Sequence, residues 1–221
     1  MTTRAPELAL IVGLVLGGTM FATALVFSGS LYQAVLAGAV LCYPFAAYAV
    51  VHDDEPTTVL FPQPILIGGA IAGLLVLLDV GRVGTPRAIM YGASLALLVF
   101  LPVAAYSVVY GRAPVSAGVG FVSTLILGAT LLWVNPLVGG SPYGAIGGGL
   151  LLLSGILYAH HTGPIFTPTT RKQLVIGGML LGGSLLVAGF VLASVLATWV
   201  ASAIAAIVAP AVGYAITIDA V

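Results

Sequence analysis

The chain has 221 residues, 61% of them hydrophobic and 5% charged, with six basic and six acidic side chains and a formal net charge of zero. Soluble domains are about 45–50% apolar and about 25% charged, so a water-soluble enzyme, a basic nucleic-acid binder and a disordered tail are excluded together. With a mean hydropathy of +1.22, the remaining class is an all-α polytopic membrane protein embedded in a lipid bilayer, multi-pass in the cell membrane, with no nucleic acid as partner.

A spanning helix needs about 20 apolar residues. The first such run, Leu8–Phe27, follows Arg4; it is longer than a signal-peptide core and no small-x-small cleavage site follows it, so it reads as a true span. Leu31–Val51 comes next after Ser28-Gly29-Ser30. A polar loop from His52-Asp53-Asp54-Glu55-Pro56 to Pro64 leads to Ile65–Val80. Gly81 to Arg87 then separates that span from Ile89–Tyr110. Gly111 to Pro114 precedes Gly118–Val134, Asn135-Pro136 and Ser141-Pro142 bound the next loop, and Ala145–His160 is the sixth span. Pro164 and Pro168 lie in the loop that follows. The stretch from Leu174 to Ile218 has no charge and is too long for one crossing. It must fold back, and the small polar residues of Thr198 to Ser202 mark the expected turn. The count is then eight spans, or seven if that stretch does not divide, in a single membrane domain over 1–221.

A repeat runs through these spans. Pro44-Phe45-Ala46-Ala47-Tyr48 in the second is matched by Pro102-Val103-Ala104-Ala105-Tyr106 in the fourth and Pro210-Ala211-Val212-Gly213-Tyr214 in the eighth. Ser154-Gly155-Ile156-Leu157-Tyr158 in the sixth has serine in place of proline. A second aromatic, Tyr91, Tyr143 or Trp199, stands 15 residues before the repeated tyrosine, and Tyr32 stands 16 before it. The odd spans carry Gly13/Gly17, Gly69/Gly73 and Gly178/Gly182, with Gly120/Thr124/Gly128 in the fifth. The expected architecture is four tandem helical hairpins, about 8–51, 65–110, 118–160 and 174–218. An even number of spans per unit makes them parallel, with any symmetry axis along the membrane normal. Arg4, Arg112, Arg171 and Lys172 on one side against Arg82 and Arg87 on the other favour cytoplasmic termini.

Each candidate site has a plain structural explanation beside a functional one. The aromatic pairs fit interfacial belts, since 15 helical residues span about 22 Å; the alternative is tyrosines around a central path. Pro44, Pro102 and Pro210 free the carbonyls of Val40, Leu98 and Ala206. These, with Ser154, could line a water or cation path, or simply kink the packing. The glycine pairs permit close helix approach. His52, Asp53, His160 and His161 share one side and carry metal-ligand chemistry, but no defined ligand spacing. Asp79 lies three residues before Arg82, an interfacial ion pair by spacing and the one charge worth testing for function.

No charge falls mid-span, which argues against a proton relay or a voltage sensor. The only lysine, Lys172, precedes its span, so a retinal Schiff base deep in the last helix is not expected, and Cys42 alone allows no internal disulfide. Nucleophile-elbow, phosphate-loop and metalloprotease motifs are missing from the sequence. The leading expectation is a non-catalytic membrane subunit or assembly partner without cofactor, joined to other membrane subunits or to its own copies. A channel or facilitator for a small neutral solute is the first alternative, and a membrane enzyme using the His and acidic loops the second.

Overall fold

The computed structural model describes residues 5–53, 55–111, 115–163, 167–192 and 196–218. Among them are eight α-helices: α1 (Ala5–Ser28), α2 (Leu31–His52), α3 (Pro62–Gly81), α4 (Pro86–Tyr110), α5 (Ala117–Leu137), α6 (Pro142–Thr162), α7 (Pro168–Leu192) and α8 (Leu196–Ile218). All eight are long and apolar enough to cross a membrane. Their 20 to 25 residues correspond to roughly 30–38 Å of helix. Arg4, Asp54, Arg112, Pro114 and Pro164, which entered the loop and orientation arguments, lie outside the described residues.

Helix starts depart from the sequence expectation in one direction. Pro62, Pro86, Pro142 and Pro168 are not loop residues but the first residues of α3, α4, α6 and α7. Proline suits that position because its missing N–H has no intrahelical partner there and its φ is already helical. At α4 the preceding Thr85 accepts the Ala88 amide on its hydroxyl at 3.2 Å, which caps a second orphan donor. At the other end of α5, Asn135 and Pro136 belong to the last turn and are buried rather than opening a loop.

The turn expected at Thr198 to Ser202 is not there. Those five residues are helical, α7 ends at Leu192 and α8 begins at Leu196. Span length supplies the physical reason. A helix starting after Ser202 would keep too few residues to cross the hydrocarbon, whereas the observed division leaves helices of 25 and 23. The small polar residues that resembled a turn are buried instead. Trp199 and Ser202 are fully enclosed, the former in a cluster with Leu132, Ala145 and Leu185. Small hydroxyl side chains suit helix–helix contacts in lipid.

Consecutive helices are the main neighbours: α1 on α2, α3 on α4, α5 on α6 and α7 on α8. The even helices then stand side by side, α4 on α6 and α6 on α8. Lighter contacts join α2 to α3 and α4, and α5 reaches α8. Burial follows from this order. Ten of the 21 residues of α6 are buried, five of them glycines, while only Ala34 and Ala49 are buried among the 22 of α2. The outer faces carry Leu, Ile, Val and Phe side chains such as Phe27, Val40, Leu180 and Phe190, the surface a bilayer accepts.

Candidate functional site

The glycines explain how adjacent helices come so close. A Cβ on Gly17 would lie 2.9 Å from the Gly38 carbonyl oxygen and 3.0 Å from Cys42 Cβ. On Gly73 it would meet the Ala96 carbonyl oxygen at 3.2 Å and Phe100, and on Gly128 the Gly148 carbonyl oxygen at 3.0 Å and Leu152. Gly13 receives Phe45, Gly69 receives Val103, and in the fifth helix the sizes reverse, Thr124 filling the space left by Gly155. Gly178 lies against the Ala206 carbonyl and the Pro210 ring, and Gly182 against the Ala203 carbonyl and Ile207. Gly120 lies beneath the Tyr158 ring.

The repeated tyrosines have distinct surroundings. The Tyr106 hydroxyl donates to the Leu60 carbonyl at 2.5 Å and lies 3.4 Å from that of Pro56. Tyr158 does the same one pair later: its hydroxyl donates to the Val115 carbonyl and accepts the Val115 amide at 3.3 Å. In both cases the end of an even helix fastens the segment entering the odd helix beside it. Ser107 adds to the first fastening, with its hydroxyl 2.9 Å from the Pro62 carbonyl. Tyr48 is 46% exposed and stacks on His52 with ring centroids 4.1 Å apart. Tyr214 is half-buried near the end of α8.

The prolines also differ. Pro210 is buried against α7 together with Ala206, whose freed carbonyl abuts Gly178. Pro44 and Val40 are exposed on the outer face of α2, and Pro102 is exposed on α4. The Ser154 hydroxyl donates within its own helix to the Leu151 carbonyl at 2.9 Å. Val40 is thus exposed, the Ala206 carbonyl is packed against α7, and the Ser154 hydroxyl is bonded within α6.

Asp79 has a second partner that spacing could not show. Its carboxylate meets the Arg82 guanidinium at 3.4 Å, the expected i,i+3 pair, and also accepts the Tyr32 amide at 2.9 Å. Tyr32 is the second residue of α2, and Ser30 before it provides no side-chain cap. A carboxylate from the end of α3 thus caps another helix, where the N-terminal dipole favours negative charge. Nearby, Tyr91 and Tyr143 meet edge to face at 5.6 Å, and Trp199 meets Trp133 at 5.8 Å.

Two polar side chains make contacts that local sequence does not show. Tyr43 donates its hydroxyl from α2 to the Val99 carbonyl of α4. Asn135, 1% exposed, donates its side-chain amide to the Ser141 carbonyl at 3.0 Å, while the Gly140 amide donates to its backbone carbonyl at 2.8 Å. An asparagine before proline was the available signal for this tight α5–α6 turn, which also uses Gly139 at φ 67°.

At the histidine and acidic loops, His52 Nδ1 lies 3.0 Å from the Tyr48 carbonyl and Asp53 accepts the Glu55 amide at 3.1 Å. His160 and His161 are in the last turn of α6. Among the described residues no group of three or more His, Cys, Asp and Glu side chains could hold a metal ion. Comparison with family models, with curated proteins and with solved structures gives no match.

Proposed function

We propose that this multi-pass membrane protein is a non-catalytic subunit or assembly partner, binding further membrane helices or its own copies through outward small-residue faces. One observation carries the reading. Three of the odd helices, α1, α3 and α7, have neighbouring glycines of which one packs inward and the other meets nothing. Gly17, Gly69, Gly178 and Gly182 are buried, while a Cβ on Gly18, Gly68, Gly177 or Gly183 would find no atom within 4 Å. Glycine within a helix costs about 1 kcal/mol relative to alanine, and small residues in membrane helices serve close approach by another helix. Pro44 and Val40 add an exposed face on α2, where proline removes the helical donor that the Val40 carbonyl would otherwise receive.

The underlying architecture in this proposal is one helical hairpin repeated four times in the same orientation. It is supported by the recurring neighbours of Gly17, Gly73 and Gly128: the carbonyl six residues before, and the side chain two before, Pro44, Pro102 and Ser154. In the fourth pair the neighbours of Gly182 slip by one residue relative to Pro210. Residue numbers also rise together between even helices, Tyr91 with Tyr143 and Ser94 with Gly147, then Gly149 with Ala205 and Ile156 with Gly213. That is the sense of parallel units. Arginine and lysine placement supports cytoplasmic termini in this scheme.

The test is purification in mild detergent with cross-linking in native membranes. Species larger than one chain, or a co-purifying membrane partner, are expected. Leucine at Gly18, Gly68, Gly177 and Gly183 should dissolve that assembly without unfolding the chain; monomers alone from the unmodified protein would defeat the proposal. A solute path through one chain is less supported, because the freed carbonyls and Ser154 have separate surroundings. A membrane-enzyme site at the His and acidic loops has, among the described residues, no group of three or more metal-ligating side chains to support it.

A further inference from the structure

We infer that the first helical pair, α1 with α2, is a movable flap that opens sideways in the membrane along the seam between α2 and α3–α4. Two kinds of contact meet at α2. Against α1 the backbones touch, Gly17 facing the Gly38 carbonyl and Gly13 facing Phe45. On the other side the seam is narrow: Tyr32, Val35 and Leu36 rest on the cluster built by Val76, Val80, Leu95 and Val99. Among the described residues two hydrogen bonds cross it, Tyr43 to the Val99 carbonyl and the Tyr32 amide to Asp79.

In water such a seam would be held by the hydrophobic effect. In hydrocarbon the lipid chains replace apolar contacts at little cost, leaving close fit and polar bonds to decide. The two bonds are of a kind that can open. Val99 is inside α4, so its carbonyl retains a helical donor when Tyr43 leaves. Asp79 keeps Arg82, which is 71% exposed, and the Tyr32 amide lies in the first turn of α2. Opening therefore strands the Tyr43 hydroxyl within the bilayer and leaves the Tyr32 amide, a first-turn donor at the end of α2, to be met by interfacial water. No comparable freedom exists at α6, where Gly147, Gly148 and Gly149 lock against Ser94, Leu132 and Ala205. The inference concerns a single chain and does not depend on what the protein assembles with.

The test uses the full chain carrying Cys42→Ser, in bicelles, with spin labels at paired cysteines on outward positions. Val40→Cys with Ile146→Cys reports α2 against α6; Ile146→Cys with Ile204→Cys reports α6 against α8. A broad or two-component distance distribution is expected for the first pair and a single narrow one for the second. Tyr43→Phe should raise the open component by about three-fold to about twenty-fold, the range for one interhelical hydrogen bond, and leave the second pair narrow. An equally narrow distribution for both pairs in the parent chain overturns the inference, whether or not the Tyr43→Phe chain folds. An open component that ignores Tyr43→Phe overturns it as well.

Discussion

Adjacent glycines allow a comparison in which most confounding terms cancel. Gly177→Ala and Gly178→Ala add the same methyl to the same helix and gain the same helix propensity, about 1 kcal/mol. At Gly177 the methyl meets nothing, whereas at Gly178 it lies 2.7 Å from the Ala206 carbonyl oxygen and 2.8 Å from the Pro210 ring. Neither neighbour can turn aside, one being backbone and the other a closed ring on a buried residue. The helices must part by several tenths of an ångström, and a gap of 0.5–1 Å forfeits roughly a quarter to a half of each contact along the seam. Overpacking of this kind costs about 1–3 kcal/mol, which here is the expected difference between the two variants. For a chain of this size that corresponds to a melting-temperature separation of roughly 2–12 °C. Thermal unfolding of both variants in one detergent, followed by helical circular dichroism, measures it. Equal stability, or Gly177→Ala as the weaker of the two, would refute the assignment of Gly178 to the α7–α8 contact.

Other substitutions test the polar fastenings. Asp79→Leu removes the acceptor for the Tyr32 amide and should cost about 0.5–2 kcal/mol, in the range of a lost helix cap; Asp79→Asn should recover part of this, and equal losses for both would mean the ion pair with Arg82 dominates. Tyr158→Phe releases Val115, so hydrogen exchange at the entry to α5 should quicken while α6 stays protected. Unchanged exchange there would remove Tyr158 from that role. Gly144→Leu should unfold the α5–α6 turn, because Asn135 occupies the space a side chain needs, and a stable, native-like variant in proteolysis would contradict this.

How far the sequence could be read depended on the range of the interaction concerned. Span existence follows from local hydropathy, and the runs beginning at Leu8 and Leu31 emerge as α1 and α2 with small shifts at their ends. Positions of Gly17 and Gly178 against a neighbouring backbone were legible for a related reason: without a hydrophobic drive, close packing leaves its mark as small residues at helical spacing. Asp79 shows the limit. Its pairing with Arg82 is three residues away and visible in the sequence, whereas its bond to Tyr32 joins residues 47 apart and depends on how α2 meets α3. Thr198 to Ser202 misled because hydroxyl residues mark turns in water-exposed loops and also fill tight helix contacts in lipid. Only the tertiary neighbours Leu132 and Ala145 separate those meanings.

The glycine contacts also bear on how the chain assembles as it is made. Those of the odd helices link helices adjacent in the chain, so a pair can close as soon as its second helix enters the bilayer, with short loops and little chain entropy to lose. The most enclosed helix, α6, is the sixth of the eight described helices in chain order. Five of the described helices therefore precede it, and the first four of them enter the bilayer as two prepaired units. Assembly then becomes a lateral docking of finished pairs around a late arrival, with the α7–α8 pair joining after α6.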